Sequence, residues 1–480
     1  MAPGGREKEA GARRGAPARG AGESVKFEFR NLGTIKKTTL DLRPLTVIVG
    51  PNNSSKTYLA YCVHGMIREL EHASYRFMPS EPGNDIQNTP VSVPLASVAT
   101  LTRTSIAAAM KRFTRRLAEH FQDSYGGLFR NTKLGVQISQ DDIHLAIKHA
   151  GSSGTQRLRL AGETLTCQTF PALHDDLERV VANASVEVLE NLAGQPLTLP
   201  AERNALIISY KILSARRYRI LRDRERSSYV ARRSKAALDE EHAALREQGD
   251  IRYPAPIEDF LDFLTDTEIE AADPQNHART AFGKLANHIE THLQSGHRTV
   301  YQPTVLGGAE LVLTVDEDLK IDLYNASSSI KQIAPLLLYL RYRAAPNQTL
   351  IIDEPEMNLH PEGQAKLLEA LGMLANLGVR VLLTTHSPYF MAHLNNLIAA
   401  DSASPARKKR QAKHLYMEDP AAFLSPDDVS AYEMRPDGLH SLKDPEYGIR
   451  WDTLSDVSAE LQRRYYAIVE EPKNRGAKAK

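Results

Sequence analysis

The sequence predicts an α/β fold, a mixed sheet flanked by helices with a large, mainly helical insertion. Three stretches carry that reading. Leu45-Thr-Val-Ile-Val49 is a short apolar, β-branched run that leads into Gly50-Pro-Asn-Asn-Ser-Ser-Lys-Thr57 and then a helical pattern to about Leu70. Leu350-Ile-Ile352 is a second such run, ending in the adjacent carboxylates Asp353 and Glu354, with Pro355 to stop it. Val379-Arg-Val-Leu-Leu-Thr-Thr385 is a third and ends in His386-Ser-Pro388. Short apolar runs without alternation read as strands buried on both faces, the habit of parallel sheets. Polar residues at the carboxyl ends of such strands sit where α/β sheets bind ligands.

A chain of 480 residues can hold two or three domains and a sizeable core. The formal net charge is +1, so no global field draws the protein to nucleic acid or membrane. No stretch reaches the ~18 apolar residues of a membrane span; Ile333–Leu340 is short and is followed by Arg341. Cys62 and Cys167 give neither a disulfide framework nor a metal site, and they suit a reducing, cytoplasmic setting. The Gly-, Ala- and Arg-rich N-terminus lacks the apolar core of a secretory signal.

In chain order, residues 1–22 read as a disordered basic tail, 23–100 as a first lobe with the phosphate loop, and 101–200 as a helical segment with an antiparallel β-subdomain. Residues 201–298 read as a helical arm insertion, 299–473 as a second lobe and 474–480 as a tail. Val25–Phe29 and Thr38–Leu42 are strand candidates, and Thr89–Leu128 reads as mostly helical, with Lys111, Arg112, Arg115 and Arg116 interspersed. Leu134–Ser139, Ile143–His149, Gln156–Leu160 and Thr164–Thr169 read as short strands joined by polar turns. A helix is expected over Pro171–Leu192, then strand and turn over Leu197–Arg203. The arm's first half is basic: Arg216, Arg217, Arg219, Arg222, Arg224, Arg226, Arg232 and Arg233. It is either a solvated helix face or a surface for nucleic acid phosphate or an acidic partner. Further helices are expected at Ile257–Leu264, Arg279–Leu293, Ile333–Arg343 and Gln364–Asn376, a hairpin at Leu311–Val315 and Leu319–Leu323, and edge strands at His414–Met417 and Val429–Met434.

The chemistry concentrates in three places. Gly50–Thr57 fits the phosphate-loop pattern G-x-x-x-x-G-K-[ST], except that Ser55 stands where the second glycine belongs. Between a buried strand and a helix, such a loop cradles phosphates on backbone N–H groups, here within Gly50, Asn53, Ser54 and Ser55. Lys56 would reach the β- and γ-phosphates and Thr57 would place its hydroxyl on Mg²⁺. Asp353 can hold that ion, and Glu354 can polarise a water for attack on a phosphate. Ser327-Ser-Ser329, ahead of a helix, makes a cap whose exposed N–H groups suit an anion.

This order of motifs resembles the ATP-binding-cassette (ABC-type) ATPase heads of the SMC, RecF and OLD type, found in soluble DNA-repair and phage-defence proteins. Phe29-Arg-Asn-Leu-Gly33 and Leu45–Asn53 look like that family's first lobe, Asp353–Pro361 like its Walker B and D-loop, and Thr384–Pro388 like its switch histidine. The resemblance covers roughly Ser24–Leu70 and Ala309–Glu470. It implies ATP and Mg²⁺ as cofactors, Asp353 ordering the Mg²⁺ shell, Glu354 as base and His386 on the γ-phosphate. It makes Ser327, Ser328 and Ser329 the signature loop, which in this family touches ATP bound to the other subunit of a homodimer or higher even oligomer. Ser55, Ser328 and Ser329 replace three phosphate-facing glycines, which limits backbone approach and points to a slow ATPase acting as sensor or clamp. Gln87, Gln122 and Gln137 are the candidates for the family's Q-loop glutamine. Glu418-Asp-Pro420 and Asp427-Asp428 do not match the acidic core of a fused TOPRIM nuclease. The chain is therefore similar to stand-alone defence ATPase subunits such as PtuA or AriA, which act with a separately encoded nuclease. Two other readings stay open: a DNA-binding repair ATPase that grips a duplex with the basic arm, and a nucleotide-binding scaffold that has lost hydrolysis. No membrane partner is expected.

Overall fold

The computed structural model describes residues 25–75, 89–123, 127–152, 158–161, 163–169, 177–213, 253–270, 280–303, 309–316, 319–399, 404–444, 448–450, 460 and 462–468. The expected tails, Gln87 and the eight arginines of the basic arm lie outside these residues. The first part contains β1 (Val25–Leu32), β2 (Ile35–Leu42), β3 (Leu45–Val49), α1 (Lys56–Tyr75), β4 (Thr89–Pro94) and α2 (Leu95–His120). Next come β5 (Lys133–Gln137), α3 (Gln140–Ser152), β6 (Leu158–Ala161), β7 (Thr164–Thr169), α4 (Leu177–Ala193) and β8 (Pro196–Leu199). Then come α5 (Ala255–Glu270), α6 (Ala281–Leu293), β9 (Arg298–Pro303), β10 (Ala309–Thr314), β11 (Lys320–Asp322) and α7 (Ser328–Tyr342). The last part contains β12 (Thr349–Asp353), α8 (Pro361–Asn376), β13 (Arg380–Thr385), α9 (Pro388–Ile398), α10 (Pro405–Gln411), β14 (Val429–Arg435) and β15 (Gly438–Ser441).

A six-stranded sheet with the order β15-β14-β3-β13-β12-β8 forms the centre. Its first five strands by pairing, β14, β3, β13, β12 and β8, run parallel; β15 alone is antiparallel, at one edge. The mixed α/β class read from the sequence is the class found. Alternate residues of the central strands feed two separate cores. Leu45, Val47, Val49, Leu350, Ile352, Val381 and Leu383 face one core, shared with α5 to α9. Ile48, Ile351 and Leu382 face the other, shared with α1, α2, α4 and the β1–β2 pair. Both faces are therefore covered, which is why these strands read as unbroken apolar runs rather than alternating ones. Burying each such Leu, Ile or Val side chain contributes about 1.5–3 kcal/mol.

Three three-stranded antiparallel sheets accompany this centre, β2-β1-β5, β4-β7-β6 and β11-β10-β9, with a two-stranded pair of Lys443–Asp444 and Gly448–Ile449. The hairpin expected near Asp316 is β10–β11, and β9, absent from the sequence reading, pairs with its other side. The structure corrects four other expectations. Ile143–His149 is not a strand but lies within α3. Ser139 and Asp142 make a reciprocal capping box, with Asp142 N–H donating to Ser139 Oγ (3.0 Å) and Ser139 N–H to Asp142 Oδ2 (2.7 Å). Ile143, Ala146 and Ile147 then fall on one helical face. Thr89–Pro94, read as helix, is a strand held by β7, and α2 begins after its proline. His414–Met417 is a short 3₁₀ turn followed by bends, not an edge strand. Val429–Met434 is a strand, but β15 and β3 flank it on both sides, so the edge lies one strand further out. No helix among the described residues is long and apolar enough to cross a membrane.

Candidate functional site

The loops after β3, β13 and β12 leave the same end of three neighbouring parallel strands. That parallel order brings together the phosphate loop, His386 and the Asp353–Glu354 pair. Gly50 opens the loop, and a Cβ there would sit 2.9 Å from the Met434 carbonyl oxygen on β14, so this position has no room for a side chain. Asn53 and Ser55 adopt positive φ (65° and 69°), the region glycine enters most easily. Ser55 holds that shape through a 2.8 Å hydroxyl contact with Thr34. Helix α1 begins at Lys56 with no acid of its own in its first turn, where an anion is favoured.

Lys56 is only 6 % exposed. Its ammonium donates to the carbonyls of Gly50 (3.0 Å) and Pro51 (2.9 Å) and lies 3.0 Å from His386 Nε2. Burial pushes its pKa below the usual lysine value, against the pull of Glu354, Asp353 and Glu356. Thr57 Oγ1 donates to Asp353 Oδ2 at 2.9 Å, and Thr384 Oγ1 donates to Asp353 Oδ1. Asp353 is 3 % exposed. Burial raises its pKa more than the two hydroxyls lower it, and the charges of Glu354 and Glu202 add to the rise.

Glu354 follows with φ of +47°, an uncommon conformation for a side-chain-bearing residue. Its N–H donates to Thr384 O (3.0 Å), and its Oε1 lies 3.2 Å from His386 Nε2. That nitrogen can accept from Lys56 or, when protonated, donate to Glu354; it cannot do both at once. Glu356 accepts from the His386 N–H (2.6 Å) and from Thr385 Oγ1 (2.7 Å), which fixes the turn carrying the histidine. Burial raises the Glu356 pKa as well.

The phosphate loop from Asn52 to Thr57, Glu354 and His386 border a cleft of about 710 Å³, whereas Gly50, Asp353 and Glu356 do not line it. Ser54, Lys56, Thr57, Glu354 and His386 are among the residues that line it. Tyr61, Phe121 and Glu202 also line it, with Pro254 and Ile257 at the start of α5. Of the residues singled out in the sequence, Ser327, Ser328 and Ser329 do not border this cleft. Ser327 caps α7, its Oγ accepting from Ile330 N–H at 3.4 Å and lying 2.9 Å from Ser329 Oγ. Gln122 and Gln137 do not border the cleft either. Among the described residues, no group of three or more His, Cys, Asp or Glu side chains could hold a metal ion. A magnesium ion beside Asp353 and Thr57 would draw the rest of its shell from phosphate oxygens and water, as Mg²⁺ sites commonly do.

Sequence reasoning did not pick out Arg203, Thr384 or Glu356 as site residues. Arg203 is 2 % exposed and reaches four backbone carbonyls. Nη1 donates to Asp353 O (2.7 Å) and Pro200 O (2.8 Å), Nη2 to Glu354 O (3.1 Å) and Nε to Gln332 O (3.2 Å). Burial lowers its pKa to about 10, opposed by the surrounding carboxylates Asp353, Glu356, Glu354 and Glu202. Its signal in the sequence was a cation four residues past the end of a short strand, in a chain rich in arginine elsewhere.

The site thus combines a phosphate-loop lysine and threonine with buried carboxylates at the end of a parallel sheet. A family model described as "AAA domain, putative AbiEii toxin, Type IV TA system" matches residues 199–392. That span contains Arg203, Asp353, Glu354 and His386 but not the phosphate loop. Two solved structures are similar to this chain at 11 % identity with a TM-score of 0.34. One is an Smc head domain with an extended coiled coil, bound to the C-terminal domain of ScpA, from Pyrococcus furiosus; the match covers 92 % of this chain and 99 % of that one. The other is an Smc head bound to the C-terminal winged-helix domain of ScpA, with 87 % and 98 % covered. No curated protein matches the sequence.

Proposed function

We propose that this chain is an ATPase that binds ATP with Mg²⁺ in the cleft and hydrolyses the γ-phosphate. The observation that carries the reading is the 2.9 Å contact between Thr57 and Asp353, which are 296 positions apart. A hydroxyl directly after a phosphate-loop lysine, held against a buried carboxylate on a neighbouring strand, is the donor set for a phosphate-bound magnesium ion. The raised pKa of Asp353 supports the fit, since a cation beside it offsets the cost of keeping it ionised. When bound, Mg²⁺ supplies neutralisation of the charge that develops on the phosphates. Lys56 exchanges its Gly50 and Pro51 carbonyl partners for phosphate oxygens. Glu354 accepts a proton from the attacking water, and His386, between Lys56 and Glu354, steadies the γ-phosphate side.

The presence of Glu354 and His386 at the cleft favours hydrolysis over the scaffold reading. Ser55 in place of glycine, held at positive φ, fits a slow cycle. We further propose that two copies pair head to tail, with Ser327–Ser329 of one completing the site of the other. The support is that this capped helix start lies outside its own chain's cleft. The resemblance to stand-alone defence ATPases, and the toxin–antitoxin wording of the matching family description, support a separately encoded effector as a further partner. Fluorescent-ATP binding tests the nucleotide reading: wild type binds more tightly with Mg²⁺ than with EDTA, and Lys56→Ala loses binding at least tenfold. Equal binding by both proteins refutes it. Cysteines placed at Ser54 and Ser329 test the pairing. Crosslinks between differently tagged copies in ATP support it, and their absence while ATP is bound rejects it.

A second reading, contact with DNA phosphates, has one specific observation behind it. Arg103, Lys111, Arg115 and Lys133 surround a groove of about 460 Å³ between α2 and β5. The neighbouring Arg112 and Arg116 are instead paired with Glu69 and Glu119. Charge reversal at Lys111 and Arg115 lowers duplex affinity and flattens its salt dependence if this reading holds; unchanged binding rejects it.

A further inference from the structure

Arg203 is held in an unusual way. Its guanidinium is buried, yet the four acceptors it reaches are main-chain carbonyls. Burying a cation is costly even with the carboxylates Asp353, Glu356, Glu354 and Glu202 nearby. Two of the four carbonyls, those of Asp353 and Glu354, bracket the residue at φ +47° that follows β12. The other two belong to Pro200, just past β8, and to Gln332, in the second turn of α7. Gln332 is itself buried, with no partner for either side-chain amide atom. Arg203 does not border the cleft.

The guanidinium fork is planar and rigid, so several bonds to one turn fix that turn's peptide planes. Rotating the Asp353–Glu354 peptide would swing the Glu354 carboxylate away from His386 Nε2, 3.2 Å away, and tilt Asp353 away from Thr57. A shift of about 1 Å in a catalytic group can cost on the order of 100-fold in rate. Resting on the ATPase reading of the cleft, we propose that Arg203 is a positioning residue for hydrolysis, setting the strained Asp353–Glu354 turn so that Glu354 faces the reacting water. Arg203 itself opens the helical stretch 203–213, so the same side chain ties that turn to this helix. Arg203 acts through this turn, without touching nucleotide.

The test compares wild type, Arg203→Ala, Arg203→Lys and Lys56→Ala in the full chain. ATP affinity with Mg²⁺ and steady-state phosphate release are measured for each, with folding checked by circular dichroism. Arg203→Ala keeps ATP affinity within threefold of wild type while kcat falls at least 30-fold. Arg203→Lys, whose single ammonium reaches fewer of the four carbonyls, falls between the two. Millimolar guanidinium restores part of kcat to Arg203→Ala, whereas methylammonium, which lacks the planar fork, does not. A general loss of packing would not respond to guanidinium. Should Arg203→Ala fail to fold, the lysine variant carries the same split between affinity and kcat. Wild-type kcat in both arginine variants, or equal loss of affinity and kcat, overturns the positioning role. A wild type no more active than Lys56→Ala instead removes the ATPase reading, and the inference with it.

Discussion

Replacing Asp353 with asparagine is expected to stabilise the fold while stopping hydrolysis. The carboxylate is almost wholly buried, and its two side-chain hydrogen-bond donors are the neutral hydroxyls of Thr57 and Thr384. Burial is the largest influence on it and raises its pKa above the ordinary aspartate value. The folded state therefore binds this proton more tightly than the unfolded chain does. Its favourable contribution is complete below the unfolded pKa and is lost as pH rises through the folded one, so at pH 7 the ionised group opposes folding. Asparagine keeps the shape and removes the charge; its oxygen accepts from one threonine and its NH₂ donates to the other's oxygen. Two hydrogen bonds to a charge become two neutral ones, a loss of about 2–3 kcal/mol in all. The desolvation cost that disappears is several kcal/mol. The net gain is on the order of 1–2 kcal/mol, a rise in melting temperature of a few degrees. Thermal unfolding from pH 4 to pH 8 measures it, and the gap between variant and wild type narrows toward the acid end as Asp353 protonates. A variant less stable than wild type at pH 7 would refute the reasoning, because the carboxylate would then be held by net favourable charge interactions.

Other consequences follow from the phosphate loop. Ser55→Gly relieves a left-handed residue, worth about 1–2 kcal/mol, at the loss of one exposed hydroxyl contact with Thr34. It is expected to leave stability equal or higher and to raise kcat for phosphate release; a lower kcat would show that the serine is no brake. Gly50→Ala forces a methyl against the Met434 carbonyl at 2.9 Å, so the loop or β14 shifts. A loss of about 1–3 kcal/mol is expected, together with weaker ATP binding; unchanged melting and affinity would contradict the close approach.

The central strands and the site residues on them were readable because both depend on local signals. Apolar runs marked β3, β12 and β13, and the loops at their carboxyl ends carried the lysine, the threonine, the carboxylates and the histidine. What the sequence hid was pairing at long range. That β14 lies inside the sheet and not at its edge depends on β15 closing over it, and no periodicity within β14 reports a neighbour. Ile143-His-Leu-Ala-Ile147 is apolar at both spacings and so reads as a strand, while the Ser139–Asp142 cap makes it part of α3. Arg203 was invisible for a related reason. Its importance lies in carbonyls up to 151 positions away, while its own neighbourhood looks like the start of one more basic helix.

The claim that hydrolysis occurs in this cleft is tested most directly at Glu354. Steady-state phosphate release and bound nucleotide are measured together for wild type and Glu354→Gln, with saturating ATP and Mg²⁺. The glutamine keeps the size of the side chain and can still meet His386, 3.2 Å away in the wild type, but it cannot take a proton from water. The expected result is wild-type occupancy by ATP with release lowered at least 100-fold. Equal release by the two proteins at equal occupancy would contradict the assignment.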